Sequence, residues 1–164
     1  MMLPIIVRLN SPLFSDKPRI ILVEDAEKFW RLNRAGRELA AMHLNYEQQE
    51  PAQVEIIGGG DYRVKKMCLS KDKTLLQYNE YITIRNIPLR AFEYVVNGRS
   101  PLEWIIDRYQ IKTDSASGIV NNPNDWATEH RDEKYILKLI LSSITVSLKT
   151  LDIVESLPEV DFGA

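Results

Sequence analysis

The chain has 164 residues, 45% of them hydrophobic and 27% charged, with a net charge of −2. That is ordinary globular composition, with length enough for one domain and its core. The charge balance excludes a body that binds nucleic acid through overall basicity, so any such role rests on a local patch. The single cysteine, Cys68, excludes an internal disulfide, and no Cys/His cluster is spaced to hold zinc.

Met1 to Leu9 is apolar but short and carries Pro4 and Arg8, which fits neither a signal peptide nor a membrane span. A cytoplasmic protein is expected. Pro4 to Leu9 and Arg19 to Val23 read as strands, the first as if continuing from something upstream, so the chain is expected to be the C-terminal fragment of a larger polypeptide. From Asp25 to about Leu44 the spacing of Phe29, Leu32, Leu39 and His43 predicts a helix. Gly36 inside it costs stability unless another backbone packs there. Strands are predicted at Val54 to Ile57, Tyr62 to Leu69 and Thr74 to Ile84, together an antiparallel β-meander. Gly58-Gly59-Gly60 reads as a hairpin turn within it.

After Pro88 the pattern becomes helical. Pro88 to Val95 predicts a short helix closed by Asn97-Gly98. Ser100 as N-cap, Pro101 at the first helical position and Glu103 completing a capping box start the next one. Leu102, Ile105, Ile106 and Tyr109 form its apolar stripe. Trp104 lies off that stripe with Arg108 on its side, either covered by a second element or a contact residue. Glu133 to Leu157 predicts a long C-terminal helix with Leu137, Ile140, Leu141, Ile144, Leu148, Leu151 and Val154 on one face. The reading is α+β: one domain over 1–164, a meander packed with helices.

Catalytic motifs are missing. The glycine triplet precedes a strand, whereas phosphate loops hand the chain to a helix N-terminus. Asn122-Pro123-Asn124 lacks the second proline and the aromatic of an amino-methyltransferase signature. Carboxylate-x-carboxylate-x-lysine spacing and a Gly-x-Ser-x-Gly elbow are absent. His43 sits on an apolar helix face as a core or boundary residue, far in sequence from His130. No catalytic residue, metal or cofactor is therefore expected.

Features suited to binding are present. Arg63, Lys65, Lys66, Lys71 and Lys73 crowd the second predicted strand and its turn. Alternation puts Arg63 and Lys65 on one face with Val64 behind, either a strip that tracks phosphates or an edge strand guarded by lysines. Lys28, Arg31, Arg34 and Arg37 spiral around the first helix, so neighbouring pairs can grip a phosphate but the set cannot. The polar run Ile111 to Trp126 is punctuated by Ile111, Ile119, Val120 and Trp126, apolar anchors for an ordered loop. Its Asp114, Ser115, Ser117, Asn121 and Asn124 can bond their own backbone.

Four segments, "YNEYITIRNIP", "YVVNGRSPLEWIIDRYQIKTDSASGIVNNPNDW", "FWRLNRAGRELAAMHLNYE" and "ITVSLKTLDIVESLP", resemble the C-terminal target-recognition domain of the type ISP restriction-modification enzymes. These are large single-chain proteins related to bacterial helicase-methylases. The resemblance runs from about Phe29 to Pro158. It implies a non-catalytic domain that binds double-stranded DNA, with nuclease, ATP-driven translocase and adenine methyltransferase on upstream parts of the parent chain, and no membrane partner. It makes Arg99, Lys112, Thr113, Ser115, Ser117, Asn121, Asn122 and Asn124 candidates for phosphate positioning or for docking on the methyltransferase, beside a purely structural role. Base reading falls to the Gln48 to Lys73 hairpin. The alternative is a coupling domain that braces the upstream helicase or methyltransferase without touching bases. An orphan nuclease or hydrolase is disfavoured by the missing motifs.

Overall fold

The computed structural model describes Val23 and residues 25–159. The two expected N-terminal strands lie outside the described residues, apart from Val23, which is in neither helix nor strand. Helix α1 spans Ala26–Leu44, started by Asp25, whose carboxylate accepts the Glu27 N–H at 2.8 Å. It packs along the long C-terminal helix, which is α4 in chain order. A Cβ on Gly36 would meet nothing within 4 Å, so no close backbone offsets its helix cost.

The sheet is formed by β1 (Glu55–Gly58), β2 (Cys68–Leu69), β3 (Leu76–Gln77) and β4 (Ile82–Arg85), in spatial order β1-β4-β3-β2 and antiparallel throughout. β2, β3 and β4 make the meander, and β1 adds to the far edge of β4. The glycine triplet therefore closes no hairpin, and Gln48 to Lys73 is not one either, since β1 and β2 occupy opposite edges. Gly58 has a different task. It lies at φ +90, and a Cβ there would fall 1.8 Å from the Tyr81 carbonyl oxygen. Only glycine lets β1 end against the turn before β4.

Two predicted strands change shape. Thr74 to Ile84 is β3, a turn and β4, because the Asn79 side-chain oxygen Oδ1 accepts the N–H groups of Tyr81 and Ile82 and folds the run back on itself. Tyr62 to Leu69 is a strand only at Cys68–Leu69. The carbonyls of residues 61 to 65 are all taken by donors from elsewhere: Asn79 Nδ2 for Asp61 and Arg63, the Tyr78 hydroxyl for Tyr62, Asn124 Nδ2 for Val64, and the Ile111 N–H for Lys65. With its acceptors engaged this way, the run is an irregular strap fastened across the sheet's end.

Pro88 to Val95 is only a 3₁₀ turn at Leu89–Phe92. Helix α2 (Pro101–Arg108) has the full predicted capping box around Ser100 and Glu103. β5 (Lys112–Thr113) and β6 (Val120–Asn121) form a separate two-stranded hairpin, followed by the short α3 (Asn124–Glu129). Helix α4 (Tyr135–Glu155) has 21 residues, about 32 Å at 1.5 Å per residue. Its Ile136, Ile140 and Ile144 meet Leu76, Ile82, Ile84 and Leu102 in the core. Of the predicted face, Leu148 is half-buried and the rest are buried. The buried Ser142, Ser143 and Ser147 hydroxyls donate to carbonyls of the preceding helical turn, which lets a polar group sit in the interior without losing its partner. Among the described residues no helix is long and apolar enough to cross a membrane.

Candidate nucleic-acid interface

The strap and the sheet together make a cleft of about 810 Å³, lined by Arg63, Lys65, Lys66, Gln77, Asn122 and Asn124 among others. Val64 is buried while Arg63 and Lys65 project outward. The facing inferred from alternation holds although the segment is not a strand. Val64 and Met67 act as plugs into the core, and the basic residues between them are left on the rim.

The rim cations differ in freedom. Arg63 is clamped by Asp61, with Nε at 3.0 Å from Oδ1 and Nη2 at 2.7 Å from Oδ2. That hydrogen bond holds the Asp61 carboxyl down to about 2. Lys65 stands 3.8 Å from Glu80, both side chains largely exposed, a pairing worth little in water. Lys66 is exposed and shows no partner among the described residues.

The amides of the cleft serve the scaffold. Asn124 Oδ1 accepts the Val64 N–H at 2.8 Å, and its Nδ2 donates to the Val64 carbonyl at 2.9 Å and to Asn122 Oδ1 at 2.8 Å. It completes the strap's backbone as a neighbouring strand would. Asn122 also donates to Asp125. Both residues were candidates from sequence, and both are brought to the cleft, where they fasten it.

The other candidates lie elsewhere. Lys71 is exposed in the turn between β2 and β3. Lys73, at φ 60, pairs with Glu103 at 2.8 Å and sits over the Phe92 ring, so it ties that turn to α2. Arg99 faces Asp107 at 3.5 Å and the Trp104 ring at 5.2 Å. Trp104 is half-buried, donates to the Val96 carbonyl at 2.8 Å, and is flanked on its ring by Arg108 as well. Lys112 pairs with Asp107 at 3.0 Å, and this contact first of all lowers the Asp107 pKa. Thr113, Ser115 and Asn121 are exposed on the β5–β6 hairpin. Ser117 donates its N–H and hydroxyl to Asp114, whose pKa the Ser117 backbone bond lowers first.

That hairpin corrects one expectation. Its backbone closes on itself, with the Asp114 N–H donating to the Ile119 carbonyl and Gly118 at φ 71 in the turn. The apolar residues expected to anchor it do not: Ile111 is 41% exposed, Ile119 68%, Val120 57% and Trp126 50%. Asx and hairpin bonds order the segment instead. Of the helical basic set, Arg31 donates to the Ser156 carbonyl at 2.8 Å, and all four of Lys28, Arg31, Arg34 and Arg37 are exposed.

Gln77, Tyr81 and Cys68 line the same cleft and escaped the sequence reading. Their proximity comes from the pairing of Cys68 with Gln77 across β2 and β3 and from the Asn79 turn, neither of which local spacing reveals. Among the described residues no group of three or more His, Cys, Asp or Glu side chains could hold a metal ion.

The family model described as the Type ISP C-terminal specificity domain matches residues 8–139. A nuclease-deletion mutant of the Type ISP restriction-modification enzyme LlaGI, in complex with a DNA substrate mimic, superposes with a TM-score of 0.80 at 49% identity, over 91% of this chain and 12% of that one. The ATP-dependent Type ISP restriction-modification enzyme LlaBIII bound to DNA gives 0.79 at 47% identity, over 90% of this chain and 10% of that one. The DrdV–DNA complex gives 0.74 at 23% identity, over 96% of this chain and 17% of that one, a likeness of fold. No match is found among curated proteins. The chain spans only about a tenth of the length of the LlaGI and LlaBIII chains it matches. Family match, identity and superposition agree: the chain belongs to the Type ISP C-terminal specificity domain family.

Proposed function

We propose that this chain is the DNA target-recognition part of a restriction-modification enzyme, that it catalyses nothing itself, and that it acts as the C-terminal domain of a longer protein beside methyltransferase and helicase domains. Its two relatives near half identity are described bound to DNA or to a DNA mimic, in chains many times longer. The observation in this chain that carries the reading is the rim of the cleft. Lys65 and Lys66 project from a strap whose carbonyls at residues 61 to 65 are all bonded to other parts of the chain, so two positive charges are carried on a held backbone in a chain of net charge −2.

The test is duplex binding by the full chain across a salt series. Each phosphate neutralised contributes about 0.9 to the slope of log affinity against log salt. Replacing Lys65 and Lys66 with alanine should therefore flatten the slope by about 2. Adding Arg63→Ala should change less than either lysine, because Asp61 already neutralises that guanidinium. A chain without salt-dependent affinity, or a double variant with the parent slope, refutes the reading. The second reading, a brace between domains, is favoured by the exposure of Ile119 and Val120 on the β5–β6 hairpin and of Trp126 on α3. It predicts that charge removal leaves DNA affinity unchanged.

A further inference from the structure

Base reading in the major groove calls for a side chain whose donors and acceptors are free and whose backbone is rigid. Four amide side chains line the cleft: Gln77, Asn79, Asn122 and Asn124. Asn79 donates to the Asp61 and Arg63 carbonyls and accepts from Tyr81 and Ile82. Asn122 and Asn124 bond to each other, to Asp125 and to both backbone groups of Val64. The Gln77 carboxamide has no partner among the described residues.

Its placement is fixed by register. Leu76 faces the core opposite Ile84, so the next residue of β3 must face outward, where Gln77 lies between Cys68 and Thr83. β3 is an internal strand, paired on both sides, which holds the Cα of Gln77 in place while its side chain reaches into the cleft. The strap residues Lys65 and Lys66 line the same cleft. Arg63, the other groove-reading type nearby, is held by two points to Asp61.

We infer that Gln77 is a specificity-determining residue whose carboxamide reads the edge of an adenine in the major groove, while Lys65 and Lys66 hold neighbouring phosphates. The inference rests on the DNA-recognition reading above. Adenine offers N7 as acceptor and the N6 amino group as donor, which the amide NH₂ and carbonyl of glutamine match as a pair. A glutamate at the same place accepts only, and suits the N4 amino group of cytosine.

The test is selection from duplexes with a randomised central stretch, using the full chain and its Gln77→Ala, Gln77→Glu and Lys65→Ala/Lys66→Ala variants. The parent chain should enrich a motif that contains an A·T pair. Gln77→Ala should keep the rest of the motif and lose discrimination at that one pair by about tenfold, about 1.4 kcal/mol. Gln77→Glu should move the preference there toward cytosine, a change of identity that a merely structural glutamine could not cause. The lysine variant should bind more weakly with the motif unaltered. If both Gln77 variants select the parent motif, the inference is overturned and the DNA-recognition reading stands. If the parent chain selects no motif, that reading fails and the inference falls with it.

Discussion

Replacing Asn124 with alanine tests the claim that the strap is held by side chains instead of by strand pairing. Val64 is buried to 0% exposure, and Asn124 supplies the partner for both its N–H and its carbonyl. Alanine leaves those two backbone groups without a partner. A buried polar group that loses its hydrogen bond costs about 1–3 kcal/mol. Two of them would cost about 2–6 kcal/mol, and the lower half of that range is expected because the cleft admits water beside Asn124. For a domain of this size each kcal/mol lowers the melting midpoint by about 2–4 °C, so about 3 kcal/mol corresponds to roughly 6–12 °C. Urea titration followed by far-UV circular dichroism measures the loss directly as a drop in midpoint at constant slope. Asn124→Asp is the discriminating companion. It keeps an oxygen for the Val64 N–H but sets a second carboxylate oxygen against the Val64 carbonyl, so it should also destabilise. If Asn124→Ala costs less than about 0.5 kcal/mol, the range of an ordinary surface substitution, the strap is fastened by something else.

Two further outcomes follow from the same structure. Gly36→Ala should stabilise the chain by about 1 kcal/mol, the difference in helix propensity, since its site in α1 is open; a thermal melt at lower midpoint would mean that the position needs glycine. His43 bonds Thr150 Oγ1 at 3.0 Å and stacks on Tyr94, and its burial lowers its pKa below 6.5. The unfolded chain then binds the proton more tightly, so this contribution to stability is complete above pH 6.5 and is lost as pH falls through the folded value. Melts taken on acidification below pH 6.5 should show a steeper fall for the parent than for His43→Gln, and parallel curves would contradict the assignment.

What could be read from the sequence was whatever depends on neighbours a turn away. The capping box at Ser100 and the apolar face of α4 are signals of three- and four-residue spacing, and both appear as expected. The strap could not be read this way. Only Arg63 to Lys65 present their side chains as a strand would; the alternation breaks at the exposed Lys66 and the buried Met67, and the run's hydrogen-bond partners come from Tyr78, Asn79, Ile111 and Asn124. Those residues are up to 60 positions away. The exposure of Ile111, Ile119, Val120 and Trp126 has a related cause. Apolar residues in a polar run suggest anchors, whereas the backbone of the β5–β6 hairpin is satisfied locally and leaves them outside. The candidate residues were recognised by type, and type alone could not distinguish an asparagine that fastens a loop from a glutamine left open.

That distinction bears on how such a domain divides affinity from selectivity. Most of the basic candidates are already opposed by an acid: Arg63 at the cleft by Asp61 and, away from it, Lys73 by Glu103 and Arg99 and Lys112 by Asp107. These pairs fix loops and cancel the long-range field that would draw the protein onto any duplex. The electrostatic part of binding on the proposed reading stays small, because the strap offers only Lys65, lightly opposed by Glu80, and Lys66, which has no partner among the described residues. On the proposed reading the nonspecific grip must then come from elsewhere in the longer protein. A weak grip here is an advantage for recognition, because sequence-independent affinity raises binding to every competing site equally and adds nothing to discrimination. The acids beside the cleft thus belong to the same design as the open amide. Removing Asp61 should free Arg63, raise affinity for duplexes of every sequence, and leave the preference at the Gln77 position unchanged.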